Sequence, residues 1–437
     1  MSGDGELRAL AREFFLHALA ESAIDKAFGR HVQNERGVLR IGDDLHDLKS
    51  YSRVLAVSLG KAGHRMAECL ALQVGATVQG IVADPNPPAA QLPGYRYFAG
   101  SHPQPNAESV RGAEAILTSL SALNPQSLVI FMICGGGSSV VEKPADPEIS
   151  LVDLVATYRT LVNSGAPIAQ INAVRKHLSA TKGGRMARAA QGAQQVSILV
   201  SDVPESALDS LASGPTMPDS STIDDCYRIV REYNMLPDFP ASVRELFERR
   251  ALEETPKQND PAFVRSRWWP VLSNATAEKA AAMAAAQQGF AVEIDHSCDD
   301  WDYARAADYL LDRLRALHRE IPRVCLISGG EVTVKVPPGA KGIGGRNQHF
   351  ALYCAEKIAG QSMAVLSAGT DGIDGVSPVA GAVADGTTLE RARAAGLDAA
   401  HHLRNFDSFP FFEKLGDTIQ TGPTGTNVRD LRVLLTS

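Results

Sequence analysis

The sequence predicts an α/β protein with two domains. Short apolar runs recur along the chain and end in glycine, serine or aspartate, and helix-like segments lie between most of them. A chain of 437 residues is also too long for one typical hydrophobic core. Continuous apolar strands that alternate with helices are typical of largely parallel sheets covered on both faces. We therefore expect two three-layer α/β/α domains with largely parallel sheets.

The predicted strands follow one another in a clear order. Their runs read RVLAVSLGKAG, SLVIFMICGGGSS, VSILVSDVP, VCLISGGE and MAVLSAGTDG. A charged, proline-containing stretch separates the third run from the fourth, as linkers often do. We expect a Rossmann-like N-terminal domain over residues 1–240, a linker over 241–265, and a C-terminal α/β domain over 266–437. The simplest arrangement places an active site in the cleft between these domains.

The composition and charge of the chain bear on which partners and which cellular compartment we expect. The formal net charge is −7, which gives no broad attraction for nucleic acid or an anionic membrane. The six cysteines form no C-x-x-C pair, so neither a zinc cluster nor a disulfide framework is indicated, and a reducing compartment is favoured. The first residues lack the pattern of a signal peptide. We expect a cytoplasmic protein with small-molecule partners.

The segment ICGGGSS, which ends the second predicted strand, is a candidate for binding an anion. Gly135, Gly136 and Gly137 allow successive amides to point inward as a nest, and Ser138 and Ser139 add hydroxyl groups. The alternative is an ordinary tight turn from strand to helix. The segment is not a Walker A loop, because no G-K-[ST] ends it.

Charged residues lie near the ends of other runs. Lys61 could act as a point charge on a transferring phosphate, or be a solvated surface lysine. Asp202 could hold Mg²⁺ or accept a proton from a substrate hydroxyl, or form a turn. Arg175 lies at the edge of an apolar helical stripe and could line a site or cover apolar surface, whereas Lys176 and His177 point away from the stripe.

The segment KGIGGRNQHF places glycines beside a guanidinium at the start of a predicted helix. Gly344, Gly345, Arg346 and Asn347 are candidates for binding a phosphate, which would also offset the conflict between a positive charge and the helix dipole. Asn347 stands where the third glycine of a dinucleotide fingerprint belongs, so that fingerprint fails. Glu331 ends the preceding strand and is another candidate for contact with substrate.

Two aspartates follow the last apolar run, in SAGTDGIDG. Asp371 suits Mg²⁺, which usually takes one or two carboxylates and leaves room for phosphate oxygens. Asp374 is either a second ligand or a turn residue. His102, between serine and proline, reads as a turn residue. Without a Ser-His-Asp set or a zinc-ligand group, these residues predict a Mg²⁺-dependent kinase of a small hydroxylated metabolite.

Nine blocks then carry a resemblance to a known family. In chain order they are GKAG, SHPQPN, CGGGSS, INAVRKHLS with KGGR, SDVP with ASGPT, SGGE, GGRNQ, GTDGIDG and TGPTGTNV. The chain resembles the type-2 glycerate kinase family, the MOFRL-domain group, over nearly its whole length. The resemblance implies transfer of phosphate from ATP to D-glycerate, giving 2-phosphoglycerate, with Mg²⁺. It also implies two α/β domains with the active site between them, and a homodimer is one arrangement left open.

Carried onto this chain, the resemblance assigns the active site to Lys61, Asp202, Arg346 and Asp371. Lys61 and Arg346 would neutralise the transferring phosphoryl group. One aspartate would orient or deprotonate the attacking hydroxyl, and the other would help to hold Mg²⁺. Members have also been labelled hydroxypyruvate reductases, so an NAD(P)H-dependent reductase is one alternative. A non-catalytic sensor of a small phosphorylated acid is the other.

The chain departs from the family pattern mainly in its acidic positions. His349 and Pro378 stand where the family usually has acids, and Asn106 replaces the acid that follows the usual Gly-His-Pro, which reads Ser-His-Pro here. The segment SDVPESA also lacks two acids of the usual SDVPGDD. The charged residues at the predicted centre of the site remain, so these departures bear on substrate identity more than on reaction type.

Overall fold

The computed structural model describes residues 3–75 and 78–437. The chain divides into two compact units. The first unit is Ile24–Val271, and the second joins Leu272–Ser437 to the described residues before Ile24. Each unit has its own central sheet with helices packed on it, and the predicted α/β class is confirmed.

Helix α1 (Gly3–Glu21) opens the described chain and belongs to the second unit. The first unit follows with α2 (Ile24–His31), β1 (Val32–Glu35), β2 (Val38–Ile41), β3 (Asp44–Asp47), β4 (Arg53–Leu59), α3 (Gly63–Val74), β5 (Gln79–Ala83), β6 (Tyr95–Phe98), α4 (Ala107–Ser121), β7 (Ser127–Cys134), α5 (Gly137–Val140), α6 (Leu151–Asn163), α7 (Ile168–Leu178), α8 (Arg185–Ala189), β8 (Gln194–Val200), α9 (Ile223–Glu232), α10 (Ala241–Glu248) and β9 (Ser266–Leu272).

The main sheet of the first unit has the strand order β6-β5-β4-β7-β8-β9. The pairs from β6 to β8 are parallel, as the sequence predicted. Strand β7 is buried at every position, which explains its unbroken apolar run. Leu59 pairs with Ile133, and Cys134 pairs with Val200. The residues that follow β4, β7 and β8 therefore emerge at the same edge of the sheet.

The end of the first unit differs from the predicted bounds. Strand β9 lies beside β8 in this sheet, so the unit extends to Val271. Residues 241–265 include α10, whose Val243, Leu246 and Phe247 are buried in a cluster with α6, α7 and α9. A segment that contributes buried apolar side chains is part of a core, and the expected linker is therefore absent from this stretch.

The second unit continues the chain from α11. Its elements are α11 (Asn274–Gln287), β10 (Ala291–Ile294), α12 (Tyr303–His318), β11 (Val324–Gly329), α13 (Arg346–Lys357), β12 (Met363–Gly369), β13 (Gly381–Asp385), α14 (Thr388–Ala394), α15 (Ala399–Arg404), α16 (Ser408–Leu415), β14 (Thr418–Ile419) and β15 (Asp430–Thr436). Helix α1 joins them because it packs against α11, β12, β13 and β15. Helix α1 thus belongs with the C-terminal sheet, although it lies before the first unit in the sequence.

The sheet of the second unit is mixed and not largely parallel. Its strand order is β10-β11-β15-β12-β13-β14. Strands β10 and β11 are parallel, but β15 is antiparallel to both of its neighbours, and β13 is antiparallel to β12 and β14. The last strand of the chain, β15, lies between β11 and β12. The parallel prediction was wrong here because an apolar run does not specify the direction of a strand. No helix in the described part of the chain has the length and apolar character needed to cross a membrane.

Candidate active site

The first unit contains a pocket of about 480 Å³ where β4, β7 and β8 end. Ligands of parallel α/β sheets collect at this edge. The polar residues of its wall include His102, Ser138, Ser139, Arg159, Asn172, Arg175, Asp202 and Ser213, together with the backbone of Gly135 and Gly136. Three separate predictions, the glycine run, Arg175 and Asp202, thus meet at one pocket.

The glycine run lets charged side chains approach the backbone closely. A Cβ atom on Gly135 would overlap the Asp202 carboxylate. Gly136 has φ +83°, and a Cβ atom there would lie 2.9 Å from Lys61 Cγ and 3.4 Å from His102 Nδ1. Lys61, His102 and Asp202 are therefore packed against two residues that need to be glycine.

Lys61 is tied to the glycine run by its backbone and leaves its side chain exposed. Its N–H donates to the carbonyl of Gly135 at 2.9 Å. Gly60, just before it, has φ +119° and lies too close to Cys134 for any side chain. The main chain of this turn is thus fixed against β7, while the ammonium group is available to a ligand.

His102 lies on the wall of the same pocket, although its sequence context indicated only a turn. Its Nδ1 is 3.0 Å from Ser139 Oγ. Partial burial, and then the charge of Lys61, lower the pKa of His102, which keeps the imidazole neutral at neutral pH. The signal that could have identified it is its place shortly after β6, a parallel strand of the same sheet.

Arg175 lines this pocket from α7. Its guanidinium carbon is 4.5 Å from the centre of the Tyr158 ring, a cation–π contact. Its Nε is buried and has no hydrogen-bond partner. An arginine placed in this way still has hydrogen-bonding capacity for an oxyanion.

Lys176 and His177, by contrast, are buried instead of exposed. Lys176 Nζ lies 3.1 Å from Asp219 Oδ1, and His177 Nε2 lies 2.8 Å from Glu254 Oε1. Helix α7 packs on α6 and α9, so more of its surface is covered than one apolar stripe predicts. Both residues stabilise the helical cluster and lie off the pocket wall.

The second unit contains a separate pocket of about 730 Å³. The predicted site residues on its wall are Gly344, Gly345, Arg346 and Asp371, and they are joined by Asp374 and His349. Valines and Phe406 form much of the remaining wall. Most of these residues come from two glycine-rich segments, KGIGGRNQHF and SAGTDGIDG, which are separate in sequence. In the folded chain both segments line the same pocket.

Arg346 is held by two carboxylates. Its Nε and Nη2 donate to Asp430 at 2.6 and 3.1 Å, and Nη2 also lies 2.8 Å from Glu331 Oε1. Burial alone would lower the pKa of Arg346, but these carboxylate partners outweigh it and raise that pKa. Burial and the charge of Asp430 raise the pKa of Glu331. Asp430 was not among the predicted site residues. It opens the last strand and pairs with Gly369, so it comes near Arg346 only when the sheet forms.

Asp374 caps the first turn of α13. Its carboxylate accepts the N–H groups of Asn347 and Gln348 at 3.0 and 2.9 Å. Burial raises the pKa of Asp374 to about 6, against these hydrogen bonds, which lower it. A carboxylate at this end of the helix is favoured by the helix dipole. Asp374 therefore offsets the charge conflict that the sequence had attributed to a bound phosphate.

The remaining residues of the glycine-rich segment serve this capping arrangement. Asn347 is buried, and its side-chain amide contacts Asp374 while its oxygen accepts from Ser367 at 2.6 Å. This internal contact replaces the predicted contact of Asn347 with phosphate. A Cβ atom on Gly345 would overlap Asp374, and one on Gly344 would overlap Ser408. These glycines are needed first for packing, although their backbone also lines the pocket.

Asp371 is partly exposed on the pocket wall, and its Oδ1 accepts the N–H of Ile373 at 3.1 Å. Within residues 3–75 and 78–437, no three His, Cys, Asp or Glu side chains are grouped to hold a metal ion. Asp202 belongs to the first unit and Asp371 to the second. One carboxylate with substrate phosphates is a common Mg²⁺ arrangement, so Asp371 fits the ion without a protein-only cage.

In both units, glycine-rich segments lie beside cationic and carboxylate side chains at a pocket. These features are typical of an α/β protein that binds small anionic ligands. The chain matches the Domain of unknown function (DUF4147) family over residues 10–248 and the MOFRL family over residues 324–430. It belongs to the type-2 glycerate kinase family, the MOFRL-domain group.

Individual relatives and a solved structure are similar to this chain over most of its length. The chain is 34% identical to the D-glycerate 2-kinase of Thermotoga maritima over 87% of this chain and 89% of that protein. It is 37% identical to a putative hydroxypyruvate reductase of Agrobacterium vitis over 88% and 87%, respectively. The crystal structure of a glycerate kinase from Thermotoga maritima superposes with a TM-score of 0.86 at 32% identity, covering 99% of this chain and 100% of that one.

Proposed function

We propose that this chain is a kinase that transfers the γ-phosphoryl group of ATP to the 2-hydroxyl of D-glycerate, giving 2-phosphoglycerate and ADP. The observation that carries the proposal is the packing of Lys61 and Asp202 against the same glycine backbone, in a chain that matches glycerate 2-kinases over most of its length. Phosphoryl transfer depends mainly on positioning and charge neutralisation, which these residues can supply.

Each residue then has a role in the reaction. The oxygen of the 2-hydroxyl forms a bond to the γ-phosphorus, and Asp202 accepts the proton of that hydroxyl. The bond between the γ-phosphorus and the ADP oxygen breaks in the same step. Lys61 and Arg346 neutralise charge on the phosphoryl oxygens. Arg175, which lines the first pocket, binds an oxyanion of the substrate.

The proposed cofactor is Mg²⁺, with Asp371 as the carboxylate that would hold it beside the nucleotide phosphates. The ion would supply further charge neutralisation when bound. Gly135, Gly136, Ser138 and Ser139 provide further polar surface in the first pocket.

The reductase alternative is not favoured, although two relatives carry that name with the word putative. A dinucleotide-binding fold needs the amides at a helix start for the pyrophosphate. In α13 those of Asn347 and Gln348 already bind Asp374. Helix α5, after the other glycine run, is only four residues long.

The decisive experiment is phosphorus NMR of a reaction that contains the purified protein, D-glycerate, ATP and Mg²⁺. A 2-phosphoglycerate signal is expected, and a 3-phosphoglycerate signal would contradict the proposed acceptor hydroxyl. A parallel reaction with hydroxypyruvate should leave NADH and NADPH absorbance unchanged. Binding of glycerate without any product in the first reaction would favour a sensor and reject the kinase.

A further inference from the structure

The two pockets differ in the charge that they present. The wall of the first pocket carries Arg159 and Arg175 against Asp202, and the side chain of Lys61 lies beside it. In the second pocket the guanidinium of Arg346 is already paired with buried Asp430 and with Glu331. Asp371 and Asp374 add two further carboxyl groups there. An anionic three-carbon acid is therefore attracted to the first pocket and repelled by the second.

The second pocket also has an apolar wall with an aromatic stack. The rings of His349 and Phe406 are nearly parallel, with centroids 5.1 Å apart and 13° between their planes. The ring of Tyr303 meets His349 edge-on at 4.5 Å. Val332 and Val334 lie on the same wall. Stacked rings and valines provide contact surface for a flat, uncharged heterocycle.

His349 contributes to this wall as a neutral ring. It is 3% exposed, its Nδ1 has no hydrogen-bond partner, and burial lowers its pKa to about 4. The group that faces it from α12 is the ring of Tyr303, and the charge that acts on it is the carboxylate of Asp302, which opposes the effect of burial. The stack is therefore uncharged near neutral pH.

Exposed apolar side chains surround the mouth of the second pocket. Val336, Ile373 and Val376 are 56%, 49% and 78% exposed, respectively, and all three line it. Apolar groups gathered at the mouth of a pocket are typical of a surface that a ligand covers. The volume of about 730 Å³ is suited to a nucleotide and is much larger than a three-carbon acid requires.

We propose that the pocket of the second unit binds the nucleotide, with its purine base against the apolar wall beside Phe406 and its phosphates toward Gly344, Gly345 and Asp371. The acceptor acid then binds in the pocket of the first unit, with its carboxylate at Arg175. This assignment rests on the proposed kinase function and adds to it which pocket takes which substrate. The carboxyl groups of the second pocket suit a nucleotide that arrives with Mg²⁺.

A matched set of substitutions tests the assignment. Val336→Asp puts a charge on the rim of the second pocket, and Val162→Asp puts one on the rim of the first, where Val162 is 61% exposed. Val264→Asp, at a valine that is 74% exposed and lines neither pocket, is the control. Because all three side chains are exposed, the fold should be retained, and thermal unfolding checks this.

The readouts are the Kd of ADP by calorimetry and the separate KM values for ATP and D-glycerate. Val336→Asp should raise the Kd of ADP and the KM of ATP about 10-fold or more, since it places a charge against the base. It should leave the KM of D-glycerate within about 2-fold, and Val162→Asp should show the opposite pattern.

The outcomes separate this inference from the proposed function. If Val162→Asp weakens ADP binding and Val336→Asp does not, the nucleotide lies in the first pocket and the inference is wrong. Equal effects of both variants on both substrates would also reject it. If the unmodified protein neither binds ADP nor phosphorylates glycerate, the kinase proposal itself fails.

Discussion

Arg346 and Asp430 are joined by two hydrogen bonds, from Nε at 2.6 Å and from Nη2 at 3.1 Å. Asp430 is 2% exposed, so water cannot replace the guanidinium if it is removed. The planar fork of arginine suits this two-bond contact, and lysine could not reproduce it. The pair fixes the position of a positive charge before any ligand arrives.

The first prediction concerns removal of that charge. Arg346→Ala should lower kcat by on the order of 100-fold, because the guanidinium would meet charge that develops in the transition state. It should also lower the free energy of unfolding by roughly 3 kcal/mol, because Asp430 remains buried without its partner. Steady-state kinetics and urea unfolding measure the two effects.

A double variant separates these two roles of Arg346. Arg346→Met with Asp430→Leu replaces the ion pair by apolar groups, so unfolding stability should return to within about 1 kcal/mol of the unmodified protein. Turnover should stay low. Recovery of turnover in the double variant would show that the guanidinium takes no part in the reaction.

The second prediction concerns Lys61, whose side chain is exposed in the turn after β4. Lys61→Met should lower kcat by about 100-fold through loss of a charge on the phosphoryl group. Thermal stability should change little, since an exposed side chain contributes little to the core. Lys279→Met, at an exposed lysine of α11, is the matched control and should retain full turnover. Normal turnover in Lys61→Met would remove this residue from the mechanism.

The third prediction uses the close approach of Asp202 to Gly135. Gly135→Ala places a methyl group in the position of the carboxylate and should lower kcat by about 10-fold or more, because the proton acceptor is displaced. Gly29→Ala, in α2 and with open space around the added methyl, should instead raise stability by roughly 0.5–1 kcal/mol. If Gly135→Ala reacts at the normal rate, Asp202 does not need its present position.

The fourth prediction is a pH dependence of stability from His349. The folded pKa is about 4 against an ordinary value of 6.5, so the unfolded chain binds more protons between these values. Stability should therefore fall as pH drops from about 6.5 to about 4, by on the order of 3 kcal/mol from this residue. Urea unfolding over pH 4–8 measures it.

His349→Phe is the matched variant, because it keeps a ring on Phe406 but cannot titrate. The difference between the two stability curves isolates His349 from Asp374, whose raised pKa of about 6 has the opposite effect in the same pH range. Parallel curves for the two proteins would show that His349 carries no shifted pKa.

Much of the first unit could be predicted from the sequence, because its signals are local. The run at Ser127–Cys134 is buried throughout, and the glycines after it allow the turn that their sequence implied. Parallel strands end at one edge, which is why Gly135 after β7 and Asp202 after β8 line the same pocket. His102 was missed because its role depends on Ser139, a residue distant in the chain.

The second unit shows where local signals were insufficient. The insertion of β15 made the sheet mixed, and it also brought Asp430 to Arg346. Helix α1 belongs to this unit, although the whole first unit separates it in sequence from the other elements of the second. Such pairings depend on contacts between segments far apart in sequence, and a strand pattern does not specify its neighbour or its direction.

The sequence by itself determined the α/β class, the order of the glycine-rich strand ends and the family. These follow from periodicity and from spacing along the chain, which are properties of neighbouring residues. Only the tertiary structure decided that Asp374 caps the helix after KGIGG, that Arg346 is paired before a ligand binds, and that the two pockets differ in charge. Burial and pairing set the charge and pKa of each of these groups, and both arise from segments that meet only when the chain folds.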